Sequence, residues 1–297
     1  MTSREIVRRT IAFERPERLG YDMPARWGSD FAGLHTPNPQ LDGRMGNGRD
    51  DWGCLWRSLA DNSHLGEVVE SPLKDWADFG TIAIPDVRDE RRWEPLRGAR
   101  ERAGDKYLMG VCTSIYERVH FLRGLENAWC DIHENPGELC RLLDILTGMN
   151  VEAAPRFAAL GFDALFILDD WGLQDRLMIS PEKWHELWGP RYKRIFEAAH
   201  AHGLQTLLHS CGYILDILDG LIDAGLDVIQ LDQQLNMGIE KLAKYRGRIT
   251  FFCPVDIQAV MPRGDENEIR AYVRRMVNEL GTPDGASCCA GTRTPRQ

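Results

Sequence analysis

From residue 105 onward, apolar runs of about five residues alternate with longer segments that carry apolar residues at helical spacing. The runs Tyr107–Cys112, Ala164–Leu168, Gln205–His209, Val228–Leu231 and Ile249–Cys253 predict strands. The intervening segments predict helices over roughly 135–160, 181–202, 214–224, 236–245 and 266–280. Pro181 after Ser180 is a helix start with proline in the first turn. Gly161, Gly203, Gly225 and Gly247 each fall just past a helix, where a left-handed cap residue is wanted. At the front, Thr2-Ser3-Arg4-Glu5 fits a capping box for a short helix that stops near Pro16. Residues 20–100, rich in Gly, Pro and Trp, predict a first strand near Gly20–Met23 and then a long irregular connection.

Strands that are nearly continuous in apolar residues and alternate with helices imply a parallel sheet covered on both faces. An open doubly wound sheet and a closed eightfold barrel both satisfy that pattern. No Gly-x-Gly-x-x-Gly follows an early strand, which removes the usual dinucleotide signature. Polar residues instead cluster just after successive strands: Asp169 and Asp170, His209 and Cys211, Asp232, then Cys253 and Asp256. A barrel carries its chemistry at the C-terminal ends of its strands, so the expected fold is a TIM (β/α)8 barrel. One barrel domain over 1–297 is expected, with 1–100 as an irregular N-terminal elaboration and 286–297 as an atypical tail.

Composition narrows the function. The hydrophobic fraction of 43% supports a full core. A net charge of −9 with scattered Lys and Arg offers no basic face for nucleic acid. No stretch reaches about 18 uninterrupted apolar residues, and the charged N-terminus has no apolar signal core. The eight cysteines are too sparse for a disulfide scaffold, so reduced thiols and a cytoplasmic location are expected.

The sharpest chemical signal is Leu207-Leu208-His209-Ser210-Cys211-Gly212. Residues i and i+2 of an extended chain point the same way, so His209 and Cys211 converge at the barrel mouth. One imidazole and one thiolate are half of a tetrahedral zinc site, although a core His beside a core Cys gives the same spacing. Cys253, two strands along, is either a further ligand or a buried strand cysteine. Of the adjacent acids Asp169 and Asp170, one is expected to face the pocket and the other to cap the loop. Asp169, Asp170 and Asp232 are the catalytic candidates, since carboxylates at a barrel mouth bind substrate, hold metal or move protons. Glu117, Gln174 and Asp256 are candidate substrate contacts, with Glu117 and Arg123 equally readable as a solvated pair. The segment Trp52-Gly53-Cys54-Leu55-Trp56 either covers a planar ligand or packs an N-terminal extension.

Together these residues resemble the uroporphyrinogen decarboxylase superfamily, from about Thr2 to Gly285. The resemblance rests on SREIVRRTIAFERPERL, FLRGLENAWCDIHENPGEL, LDDWGLQDRLMISPEKW, the HSCGYILDILDGLIDAGLDVIQLD block and FFCPVDIQ. It implies a TIM barrel. True decarboxylases carry Met-Arg-Gln-Ala-Gly-Arg, which grips the substrate's carboxylates. The matching segment here, Tyr21 to Gly28, has Arg26 alone. The chain is more similar to the methyltransferase branch, which includes the methylcobamide:coenzyme M methyltransferases, through His209, Cys211 and Gly212. That resemblance implies zinc held by His209, Cys211 and a further Cys on the last strand. It also implies a small-molecule methyl acceptor, a thiol or similar, and a corrinoid (methylcobamide) carried by a partner protein. The competing expectations are a decarboxylase or lyase on another substrate and a non-catalytic tetrapyrrole-binding barrel.

Cys288 lies about where that further ligand is expected. The tail ASCCAGTRTPRQ nevertheless does not read as a closing strand and helix. Codons permitted for residues 285–297, read two bases out of register, can encode RQLLRWYPDPAA, which reads better as strand and continuation. The expectation is therefore a frameshift or truncated gene, with Cys288 and Cys289 accidental and the last strand–helix unit missing or disrupted.

Overall fold

The structure, a computed structural model, describes residues 1–37, 47–58, 66–285 and the backbone of 287–290. Eleven strands are present among the described residues: β1 Tyr21–Asp22, β2 Phe31–His35, β3 Gly48–Arg49, β4 Leu55–Ser58, β5 Gly66–Glu70, β6 Tyr107–Val111, β7 Ala164–Leu168, β8 Gln205–His209, β9 Val228–Gln230, β10 Thr250–Cys253 and β11 Ser287–Ala290. Eight of them form one parallel sheet in the order β1-β11-β10-β9-β8-β7-β6-β2. The two ends meet at a tight connection. Asp30 N donates to Tyr21 O at 2.9 Å, and Asp22 bridges to Ser29. The fold is the expected α/β barrel.

Two apolar layers account for it. Phe31, Tyr107, Met109, Val111, Ala164, Phe166, Leu207, Val228 and Phe252 pack together inside the ring. Their neighbours on the same strands, such as Leu108, Leu165, Leu208, Ile229 and Phe251, pack outward against the helices. Strand alternation produces both layers, and each large side chain fully buried contributes about 1.5–3 kcal/mol. Val7 and Ile11, from the first helix Ser3–Ala12, join the inner layer. That helix lies against the strands' N-terminal ends, where Arg4 reaches Asp163 at 2.6 Å and its N–H donates to Asp105 O. Thr2 caps it by accepting from Glu5 N, and it ends at Ala12 with Phe13 in a left-handed conformation.

The expected helices are present at Pro136–Ala159, Leu215–Asp223 and Glu266–Leu280. The one expected over 181–202 is broken by a π turn at Trp184–Trp188, just ahead of Pro190, which has no N–H to donate. Residues 20–100 hold more order than their composition suggests. They include β2 and a small antiparallel sheet, β3-β4-β5. Buried Asp50 ties that sheet down, accepting from Trp52 N, Cys54 N, Trp56 Nε1 and the Arg118 guanidinium. Trp52 and Trp56 are fully packed, so the aromatic segment is core rather than ligand cover.

The closing unit is reduced to a short strand, in keeping with the disruption expected there. Ser287–Ala290 pairs in parallel with β10 on one side and with β1 on the other. Four residues of backbone are enough for those ladders even without an apolar pattern, because ladder bonds come from peptide groups that every residue carries. The last unit is present as this short strand, and no helix follows it among the described residues.

Candidate functional site

The site forms where β7 and β8 end side by side, with Leu168 paired to His209. Beyond the last ladder pair the two chains stay joined. Asp169 N donates to His209 O at 3.0 Å, Gly172 N to Cys211 O at 3.1 Å and Tyr213 N to Leu173 O at 2.8 Å. This zipper carries Asp170 to the His209–Cys211 pair, whose side chains share one face because they are two residues apart. Asp170 Oδ1 accepts from Cys211 N at 2.9 Å and lies 3.3 Å from His209 Nε2. Cys211 Sγ lies 3.5 Å from the same nitrogen.

Asp170, His209 and Cys211 are the cluster of metal-binding type among the described residues, with donor atoms all within 4.8 Å of one another. Tetrahedral zinc, with bonds of about 2.0–2.3 Å, spaces its donors about 3.3–3.8 Å apart. The two spacings to His209 Nε2 fall in that range. An oxygen, a nitrogen and a sulfur donor at a barrel mouth therefore fit zinc and leave a fourth position for another group.

The electrostatics suit a shared cation. Burial alone would lower the His209 imidazole's proton affinity, but the hydrogen bonds and charges of Asp170 and Cys211 raise it well above the ordinary value. Burial pushes the Cys211 thiol up, joined by the charges of Asp170 and Asp232 and opposed by His209.

The other expected residues are dispersed. Asp169 is fully buried, and its carboxylate accepts from Ile115 N, Tyr116 N, Glu117 N and Tyr192 Oη. It anchors the helix Glu117–Arg123 to the end of β7, and burial holds it up at about 6 against those bonds. Asp256 is likewise buried and accepts from Leu235 N, Gln258 N and Ala259 N, capping the loop after β10. Asp232 accepts from Gln230 Nε2. Gln174 accepts from Asn236 Nδ2 on the surface, joining the loops after β7 and β9. Glu117 opens its helix, while Arg123 is buried against Asp131 at 2.7 Å, so the two are not a solvated pair.

Cys253 is not brought to His209. Phe252 packs inside the ring, so alternation turns Cys253 into the outer layer, where it faces Tyr272 of the last helix. Cys288 pairs with Phe252 in register, continuing the row Leu168, His209, Gln230 and Phe252, and its side chain lies outside the described residues. Sequence reasoning missed Gln230, which is hydrogen-bonded to His209 Nδ1. It also did not join Asp170 to the metal donors. A polar residue at an otherwise apolar strand position was the available signal for Gln230.

A parallel eight-stranded ring with mixed donors at its C-terminal rim defines an α/β-barrel protein of the class that works at the strand ends. The uroporphyrinogen decarboxylase family profile matches residues 59–287, well over half of the chain, and the chain belongs to that family. No curated protein matches it in sequence. Among solved structures it is similar to a methyltransferase from Methanosarcina mazei, with a TM-score of 0.64 at 19% identity over 86% of this chain and 76% of that one. It is also similar to a B12-independent methionine synthase from Shewanella, with a TM-score of 0.55 at 12% identity over 99% of this chain and 82% of the other. At these identities the likeness establishes the barrel fold. Among the described residues no helix is long and apolar enough to cross a membrane.

Proposed function

We propose that the chain is a zinc-dependent methyltransferase. It would move a methyl group between a corrinoid, carried by a partner protein, and a thiol or similar small acceptor. The observation that carries this reading is the convergence of Asp170, His209 and Cys211 on the catalytic rim, with the two spacings to His209 Nε2 in the tetrahedral range. Zinc bound there would supply Lewis acidity that turns an acceptor thiol into a thiolate near neutral pH. The chain's own groups do the rest. His209, Cys211 and Cys288 would hold the metal, and Asp170 would fill the fourth position and yield it to the acceptor. The Asp169 anchor and the β7–β8 zipper keep them from spreading. Gln174, on the exposed rim beside Asn236, is proposed to touch substrate. In the transfer the acceptor's sulfur would bond to the methyl carbon as the methyl group leaves the corrinoid, which would keep the electron pair of the broken bond.

The decisive measurement is metal content after anaerobic purification with zinc supplied. About one zinc per chain is expected, lost in Cys211→Ala and in His209→Ala and weakened in Asp170→Asn. Methylcobalamin with a panel of small thiols then tests transfer. Zinc-free wild-type protein under those conditions overturns the proposal.

A further inference from the structure

The imidazole of His209 does not stand alone on its strand. Gln230, its register neighbour on β9, takes the ring's Nδ1 on its amide oxygen. The same amide's nitrogen donates to Asp232 Oδ1 at 2.6 Å. From these contacts we infer that Gln230 and Asp232 form a positioning relay that fixes the tautomer and the aim of His209. This inference rests on the metal reading only for what the ring is aimed at.

The Gln230 amide nitrogen donates to the Asp232 carboxylate, so the face of Gln230 turned to Asp232 is its NH2. The amide oxygen is then left for His209, and an oxygen can only accept from the ring. Nδ1 must therefore carry a hydrogen in every state of the imidazole. In the neutral ring the lone pair is then confined to Nε2, the atom that faces both Asp170 and Cys211. Neither Gln230 nor Asp232 needs to touch a ligand for this. They select which nitrogen is the donor and hold the ring against rotation, as outer partners of metal-binding histidines do.

Two spacings in the sequence make the relay possible. Gln230 and Asp232 are two residues apart across the end of β9, as His209 and Cys211 are across the end of β8. The parallel register sets the first pair directly beside the second. The result is a short chain of alternating donors and acceptors that runs along the rim and ends at the site.

Two measurements test the relay. In histidine-labelled protein at a pH where the ring is neutral, two-bond 1H–15N spectra report which nitrogen of His209 carries the hydrogen. Wild type should show it on Nδ1, Gln230→Leu should show a mixture, and Gln230→Glu, which keeps an acceptor toward the ring, should restore Nδ1. Zinc competition against a chromophoric chelator should give about 10–100-fold weaker binding in Gln230→Leu and near wild-type binding in Gln230→Glu. A wild-type ring protonated on Nε2, or a Gln230→Leu ring unchanged from wild type, overturns the relay. If wild type takes up no zinc at all, the metal reading falls, and the spectra still decide the relay.

Discussion

Gly172 and Gly212 meet backbone to backbone, so closely that neither has room for a side chain. A Cβ on Gly172 would lie 2.3 Å from Tyr213 N and 2.5 Å from Gly212 C. One on Gly212 would meet Leu173 O at 2.6 Å and press still harder on Gly172 O, and Gly212 also has a φ of +76°. This contact lets the loops after β7 and β8 zip together and so brings Asp170 to Cys211. Gly172→Ala or Gly212→Ala should cost about 1–3 kcal/mol of stability through overpacking. It should also weaken zinc binding at least about tenfold by spreading the donors. Denaturant unfolding and zinc competition on the same variants check both effects. An alanine variant that matches wild type in each would show that the close approach does not hold the site.

His120 makes stability pH-dependent. Its Nε2 is buried without a hydrogen-bond partner beside the Tyr116 ring, and burial lowers its pKa from 6.5 to about 4. The unfolded chain therefore takes up the proton first as pH falls. The stability due to neutral His120 is complete above pH 6.5 and is lost as pH falls toward about 4. The slope is at most about 1.4 kcal/mol per pH unit. Asp169 acts in the opposite sense, because burial raises it from 3.8 to about 6. Its contribution is present below 3.8 and is lost as pH rises through about 6. Comparing wild type with His120→Phe isolates the first effect. The variant should lose less stability between pH 6.5 and 4, and parallel curves for the two proteins would count against it.

Family membership makes uroporphyrinogen the obvious substrate to exclude. The segment from Tyr21 to Gly28 offers one arginine, and the Arg26 guanidinium lies 4.1 Å from the centre of the exposed Trp27 ring. One such cation cannot clamp a substrate with eight acid side chains. Incubation with uroporphyrinogen should therefore give no coproporphyrinogen above a no-enzyme control. Its appearance would return the decarboxylase reading to first place.

The two candidate cysteines near the barrel's closure should behave differently. Cys253 lies in the outer layer, so Cys253→Ala should leave zinc stoichiometry unchanged and cost only packing stability, about 1 kcal/mol. Cys288 shares a backbone row with His209, so Cys288→Ser should weaken zinc binding. Equal effects of the two substitutions on zinc content would sink this assignment.

Sequence alone determined the barrel, most strand positions and the His209–Cys211 pair. Those features depend on short-range pattern. A five-residue apolar run, a glycine after a helix and an i, i+2 spacing each constrain local geometry wherever they occur. Resemblance in motifs such as HSCG extended that reading to zinc and methyl transfer. What the pattern could not show was which polar groups meet across strands. Asp169 and Asp170 are adjacent in sequence and chemically alike. Only the register of β7 against β8, with the zipper beyond it, turns one into a buried anchor and the other into a metal-type donor. Cys253 looked like a ligand because it ends a strand, and the inward placement of Phe252 turned it away. Gln230 and Asp232 became a relay because β9 lies beside β8 in parallel register. Such meetings are decided by ladder register and side-chain alternation across segments about 20–60 residues apart, which single-chain periodicity does not encode.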